Sequence, residues 1–248
     1  MRSIYFCGMR QLLPQITAET DDYIAINKPS GMLTLPDRHD AEKTSLKGWV
    51  LERFPEAMVV HRLDKDTSGL LLFARHPAAH QYFSQLFENR NIRKIYKGLI
   101  TGKPLESSGS IEAPIAEHPA KNGSMIVHAK GKNSLTTYSV EKSWKNISLV
   151  TFELHTGRTH QIRVHAKYIG HPLLCDPLYS DGKPVLLSAF KKKFKLSKNE
   201  EAEKPILERL ALHSYQLILA DMAGNEVSLT APLHKDMQAL MLQLDKTI

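Results

Sequence analysis

Cysteine is nearly absent from this chain of 248 residues: Cys7 and Cys175 are the only two. Two thiols build no disulfide framework, and each is expected to be a small buried hydrophobe in a reducing compartment. Long apolar runs are missing as well. None approaches the roughly 20 residues of a membrane-spanning helix, and the apolar patch within Met1–Gly8 is too short for the core of a secretion signal. No internal repeat and no linker divides the chain. These absences point to a cytoplasmic protein with no membrane attachment. Negative charge is in deficit, with 33 Lys and Arg against 26 Asp and Glu and a net charge of +7. That balance favours a polyanionic partner, nucleic acid first. With 42% hydrophobic and 24% charged residues, the composition is that of a globular protein with a real core.

Tyr23-Ile24-Ala25-Ile26 reads as a short buried strand ended by the breakers Asn27-Lys28-Pro29-Ser30-Gly31, and residues 1–20 before it read as an irregular lead-in. Leu46, Trp49, Val50 and Phe54 recur at helical spacing behind the cap candidates Thr44 and Ser45. A second helix is predicted over 77–90, with Ala79, Phe83, Leu86 and Phe87 on one stripe. Arg93–Ile100 alternates as a strand, which puts Ile95 and Tyr96 on opposite faces. Residues 105–133 are rich in turn formers, with one strand at 125–128, and the strands predicted at 135–141 and 147–154 form an antiparallel meander. A helix over 159–169 ends at Gly170. After a loop-rich stretch, strands are predicted at 210–213, 216–220 and 226–230, the last two joined by a turn at Gly224-Asn225. A final helix carries Leu233, Met237, Leu240, Met241 and Leu244 on one stripe. The basic run Lys191–Lys195 reads as an exposed insertion touching phosphates without specificity. Strands outnumber helices and do not alternate with them, so the class is α+β with a mainly antiparallel sheet.

Two dense polar blocks interrupt this pattern. His61-Arg62-Leu63-Asp64-Lys65-Asp66-Thr67-Ser68-Gly69 is wedged between Met58-Val59-Val60 and Leu70-Leu71-Leu72-Phe73. Buried charges are costly unless paired, so these must meet partners or a ligand. The plain alternative is a polar turn in which Asp64 or Asp66 caps backbone amides. The second block is Leu154-His155-Thr156-Gly157-Arg158-Thr159-His160-Gln161-Ile162-Arg163-Val164-His165. Its histidines recur every five residues, which matches no helical metal pair. His165 falls on the apolar stripe and reads as a satisfied core histidine. Arg158 and Arg163 suit bidentate recognition of an anion, either an RNA phosphate or the Asp64 carboxylate. An arginine beside Asp64 would keep that carboxylate ionised and oriented. The plain alternative is a pair of surface ion pairs worth little.

The first block, Lys94-Ile95-Tyr96, the second block, Gly170–Tyr179 and Leu210–Ser214 together, in that order over roughly residues 21–235, resemble the RluA-type pseudouridine synthases. The resemblance implies Asp64 as the catalytic aspartate and Arg62 as the side chain filling the space of the extruded uridine. It implies Tyr96 as the aromatic that stacks on the target base and Arg163 as the salt-bridge partner of Asp64. It also implies a mixed, mostly antiparallel central sheet flanked by helices, with an RNA cleft across it. The partner would be ribosomal and/or transfer RNA, with no cofactor, no metal, no obligate protein partner and a monomeric chain. Residues 21–248 would form the catalytic domain. The short lead-in leaves no room for the S4-type RNA-binding domain that several relatives carry. Cys175 and Ser180 stand where relatives commonly have glycine, so the loop there is expected to run differently. Lys65 replaces a frequent arginine and Ser214 a common alanine.

Two other readings compete. Asp64-Lys65-Asp66-Thr67 also fits the DxDxT nucleophile motif of haloacid-dehalogenase-type phosphatases, with Asp176 and Asp181 as later acids. That reading requires Mg²⁺ and a parallel sheet with the motif after its first strand. A non-catalytic RNA-binding protein would bind RNA regardless of Asp64.

Overall fold

The computed structural model describes residues 13–37, 40, 43–191, 194–196 and 202–247. Cys7, most of the lead-in and two lysines of the 191–195 run lie outside these residues. The chain opens with β1 (Gln15–Glu19) and β2 (Tyr23–Lys28), an antiparallel pair. The lead-in, expected to be irregular, therefore supplies an edge strand. Its faces are largely exposed, so it carries little apolar patterning for a sequence to show. Helix α1 (Leu46–Leu51) starts where Ser45 Oγ accepts from the Gly48 N–H at 3.1 Å. It is shorter than the apolar spacing suggested.

Strand β3 (Met58–Val59) leads through the first polar block into β4 (Ser68–Ala74), which is buried along its whole length. Its side chains alternate between two cores. Leu71 and Phe73 join Ile24, Ile26, Leu46, Val50 and Ile162 on one face. Leu70, Leu72 and Ala74 join Ala25, Phe83 and Leu217 on the other. Burying each of the larger side chains stabilises the fold by about 1.5–3 kcal/mol, which makes this strand the centre of the molecule. Helix α2 (Pro77–Glu88) covers the second face, with Pro77 at its first turn and His76 Nδ1 accepting from Ala79 N–H.

Strand β5 (Arg93–Thr101) is followed by β6 (Ser108–Glu112), β7 (Ile115–Glu117) and β8 (Met125–Val127), then by the meander β9 (Leu135–Ser143) and β10 (Ile147–Leu154). Strands β6 and β7 were not foreseen. Within Ser-Gly-Ser-Ile-Glu only Ile111 is buried, and the backbone ladder to β9 supplies the rest. Helix α3 (Gln161–Tyr168) is followed by Gly170 at φ +83°, the left-handed turn its position required. The strands expected at 210–213 and 216–220 are one strand, β11 (Leu212–Ala220), whose register shifts between Ser214 and Gln216. It pairs with β12 (Glu226–Thr230), and α4 (Lys235–Asp245) closes the chain.

The main sheet runs β1-β2-β4-β11-β5-β10-β9-β6, with β12 also on β11 and β3 on β4. Every pairing is antiparallel except β4 with β11, so the expected mixed, mostly antiparallel sheet flanked by helices is what the chain forms. Gly69 makes the parallel join possible. At φ +112°, a Cβ there would sit 2.2 Å from Ser214 O. The phosphatase reading fails here, because a parallel sheet with the aspartate motif after its first strand is absent from the described residues. No helix among them is long and apolar enough to cross a membrane.

Candidate active site

Asp64 sits in the turn between β3 and β4, closed by Thr67 N–H donating to Asp64 O at 3.2 Å. The end of β2 and the chain after it grip that turn. Lys28, fully buried, donates from Nζ to Pro29 O (2.9 Å), Met32 O (2.8 Å) and Lys65 O (3.0 Å). Burial lowers its pKa to about 7 against the pull of Asp66 and Asp64. Ser30 Oγ donates to Asp66 O at 2.6 Å, and Thr34 Oγ1 donates to Leu63 O at 2.8 Å. The carbonyls on either side of Asp64 are thus held, and its side chain keeps 27% of its surface open. His61, in the same block, is structural. Its Nε2 accepts from Leu72 N–H at 3.0 Å and its ring stacks on Phe87, while burial pushes its pKa down to about 3 and keeps that acceptor free.

The second block approaches from across the sheet. Gln161 fixes the loop before α3, accepting from Thr156 Oγ1 (2.8 Å) and Arg158 N–H (3.0 Å) while donating to Leu135 O and Thr136 Oγ1. Arg163, 2% exposed, donates from Nε and Nη2 to the two carboxylate oxygens of Asp176 at 2.8 and 2.7 Å. Its remaining nitrogen, Nη1, stands 3.9 Å from Asp64 Oδ2. Burial weighs against the Arg163 charge, yet the hydrogen bonds and charge of Asp176, then the charge of Asp64, hold its pKa above the ordinary arginine value. The expected pairing of Arg163 with Asp64 is therefore present as an approach, while the tight partner is Asp176.

His160 completes the group from the start of α3, at the left-handed φ of +55°. Its Nε2 is 3.7 Å from Asp64 Oδ2, and its Nδ1 is 2.8 Å from the Tyr179 hydroxyl, which accepts from Met125 N–H at 2.7 Å. The Tyr179 contact occupies Nδ1 and leaves Nε2 as the ring nitrogen that faces Asp64. Burial lowers the His160 pKa, opposed by the Asp64 charge.

An open cleft of about 440 Å³ exposes this group, lined by Arg62, Asp64, Asp66, His160 and Arg163 among others. Arg62 is exposed at its rim. Tyr96 does not line it. The residue is 8% exposed, belongs to the core cluster that includes Leu63 and Ile162, and carries a hydroxyl that burial pushes up to about 12. The other block histidines go elsewhere: His155 to Thr137 Oγ1, and His165, as expected, to Thr136 Oγ1 and Ala113 O in the core. Cys175 takes φ +56°, so the loop keeps the conformation glycine favours. Asp176, Tyr179, His160 and Lys28 were not singled out for this site. A lone acid directly after the apolar run Leu173-Leu174-Cys175 was the available sign for Asp176.

A family model described as RNA pseudouridylate synthase matches residues 22–168. The chain is similar to ribosomal large subunit pseudouridine synthase D of Buchnera aphidicola subsp. Acyrthosiphon pisum, 36% identical over 92% of this chain and 73% of that protein. The protein of the same name from Haemophilus ducreyi is 37% identical over 68% of this chain and 53% of its own length. The chain thus spans about half to three quarters of the length of these two relatives. Among solved structures, human RNA pseudouridylate synthase domain containing 4 superposes with a TM-score of 0.72 at 25% identity, over 93% of this chain and 92% of that one.

Proposed function

The chain belongs to the RNA pseudouridylate synthase family, in its RluA-type branch, and is therefore an isomerase; on that premise we propose that it converts uridine to pseudouridine in large-subunit ribosomal RNA, with Asp64 as the catalytic carboxylate. One observation carries the residue assignment. Asp64 opens on the cleft while Arg163 Nη1 at 3.9 Å and His160 Nε2 at 3.7 Å face the same oxygen. Two cationic or proton-bearing side chains thus converge on one carboxylate oxygen at the cleft, which orients it towards whatever enters.

The reaction breaks the N1–C1′ bond, turns the base, and joins C5 to C1′; C5 loses a proton and N1 gains one. Atoms and electrons balance within the nucleotide, which supports a reaction without a cofactor. Three routes use the carboxylate: attack on C1′, attack on C6, or removal of the 2′ proton. All need Asp64 charged, and all need water kept from the detached base. A paired uridine is out of reach, so the nucleotide is extruded into the cleft. Arg62 fills the space it leaves. Tyr96, 8% exposed in the free chain, is the aromatic assigned to stack on the base. The same reading has residues 21–248 work as a cytoplasmic monomer without an obligate protein partner.

The test is pseudouridine mapping of large-subunit ribosomal transcripts and transfer RNA after incubation with the purified chain. New pseudouridines at defined ribosomal positions are expected. Modification confined to transfer RNA would move the substrate assignment, and none in either RNA would overturn the reading.

A further inference from the structure

A second groove, about 530 Å³ in volume, is lined by Arg90, Glu112, Lys132, His155 and Arg158 among others. One loop serves both openings. His155 and Arg158 line this groove and His160 lines the Asp64 cleft, so at most about 7 Å of chain separates Arg158 from His160.

The cations here differ from their neighbours. On one face of β5, Arg93 pairs with Glu153 at 2.9 Å and Lys97 with Glu141 at 3.0 Å. On the opposite face, which carries Tyr96, Lys94 is half-buried beside Gly157. Among the described residues, Arg90, Lys94, Lys132 and Arg158 take part in no ion pair. Arg158 Nε donates to Asn133 O at 3.2 Å, which fixes the guanidinium at the groove while its outer nitrogens stay open. Arg90 stands just past α2 at φ +61°, where a side chain costs about 1–2 kcal/mol and glycine costs nothing. Burial, and then the nearby Arg90 charge, lower the Lys94 pKa.

We propose that this groove binds the phosphodiester backbone of the substrate RNA beside the extruded uridine, with Arg90, Lys132 and Arg158 as its phosphate ligands. The proposal rests on the reading of the chain as an RNA isomerase. Phosphate contacts fix the register of a nucleic acid on a protein without reading its bases. A backbone clamped on the loop that leads into the Asp64 cleft would hold the flanking strand while one nucleotide swings out.

The test is a salt titration of binding to a large-subunit ribosomal transcript, comparing two double variants that remove equal charge. Lys132→Gln/Arg158→Gln should lower the slope of log affinity against log salt by about 1.5–2. It should also raise KM while leaving turnover at saturating RNA near wild type. Arg93→Gln/Lys97→Gln, which removes paired cations, should leave the slope unchanged. Arg90→Gly should lower the slope by about one with Tm unchanged or raised, because glycine suits that backbone, so its loss of binding is not misfolding. An unchanged slope in the groove variants, or an equal fall in both doubles, would overturn the proposal. Wild-type turnover is scored separately, so a chain that forms no pseudouridine refutes the functional reading while the slopes still decide the groove.

Discussion

Two arginines in this molecule are clamped by aspartates in the same way, and only one has a nitrogen to spare. Arg209 donates from Nε and Nη2 to Asp236 at 2.6 and 2.7 Å, and Arg163 grips Asp176 with the same two nitrogens. Arg209 spends its third nitrogen on Ser68 Oγ (3.1 Å) and Leu210 O (3.2 Å). Ser68 Oγ in turn meets His213 Nδ1 at 2.9 Å, and His213 Nε2 donates to Ala231 O at 3.1 Å, so the network closes on itself. Arg163 Nη1 makes no hydrogen bond among the described residues and faces Asp64 across 3.9 Å. A fully occupied guanidinium ties elements together. One locked at two corners and open at the third holds a charge in readiness. Burial sharpens the contrast: Arg163 and Asp176 are 2% and 0% exposed, Arg209 and Asp236 16% and 27%.

The comparison breaks most readily at the carboxylates. Asp176→Asn leaves a buried guanidinium uncompensated and should cost about 3–5 kcal/mol of stability. Asp236→Asn, nearer to solvent, should cost about 2 kcal/mol. Equal losses in urea denaturation would remove the distinction. Exchanging the arginines sharpens it further. In Arg163→Lys the fork is lost and the charge no longer reaches Asp64, so turnover should fall about 100-fold, or about 2.7 kcal/mol. Arg209→Lys should lower the urea midpoint and leave single-turnover rates near wild type.

The smallest effect is a pH dependence carried by the closed network. Burial lowers the His213 pKa from 6.5 to about 3. Below its ordinary pKa the unfolded chain takes up a proton there that the folded chain refuses, so stability is lost as pH falls from 6.5 towards 3. By about pH 5 the loss should be about 2 kcal/mol. Denaturation of His213→Gln, whose side chain does not titrate, should show a smaller decline over the same range.

What the sequence displayed follows from where each group finds its partner. The Asp64 block was visible because charge between two buried runs has few solutions, and Arg163 because guanidiniums at a helix entry suit an anion. The face of Tyr96 followed from strand alternation, while its burial did not, since alternation does not say what covers a face. Lys28 was hidden because its acceptors are backbone carbonyls, which leave no mark in a sequence. Strands β1 and β6 escaped for the same reason, being held by ladders rather than by side chains. His160 was seen as one of three histidines, but its tie to Tyr179 joins segments 19 residues apart through a loop with no regular period.

The most direct test of the account is Asp64→Asn, which keeps the shape of the side chain and removes its charge. Pseudouridine formation under single-turnover conditions and RNA affinity should be measured on the same preparation. The account predicts that product formation is lost while affinity stays close to wild type. Turnover within about tenfold of wild type, roughly 1.4 kcal/mol, would contradict it.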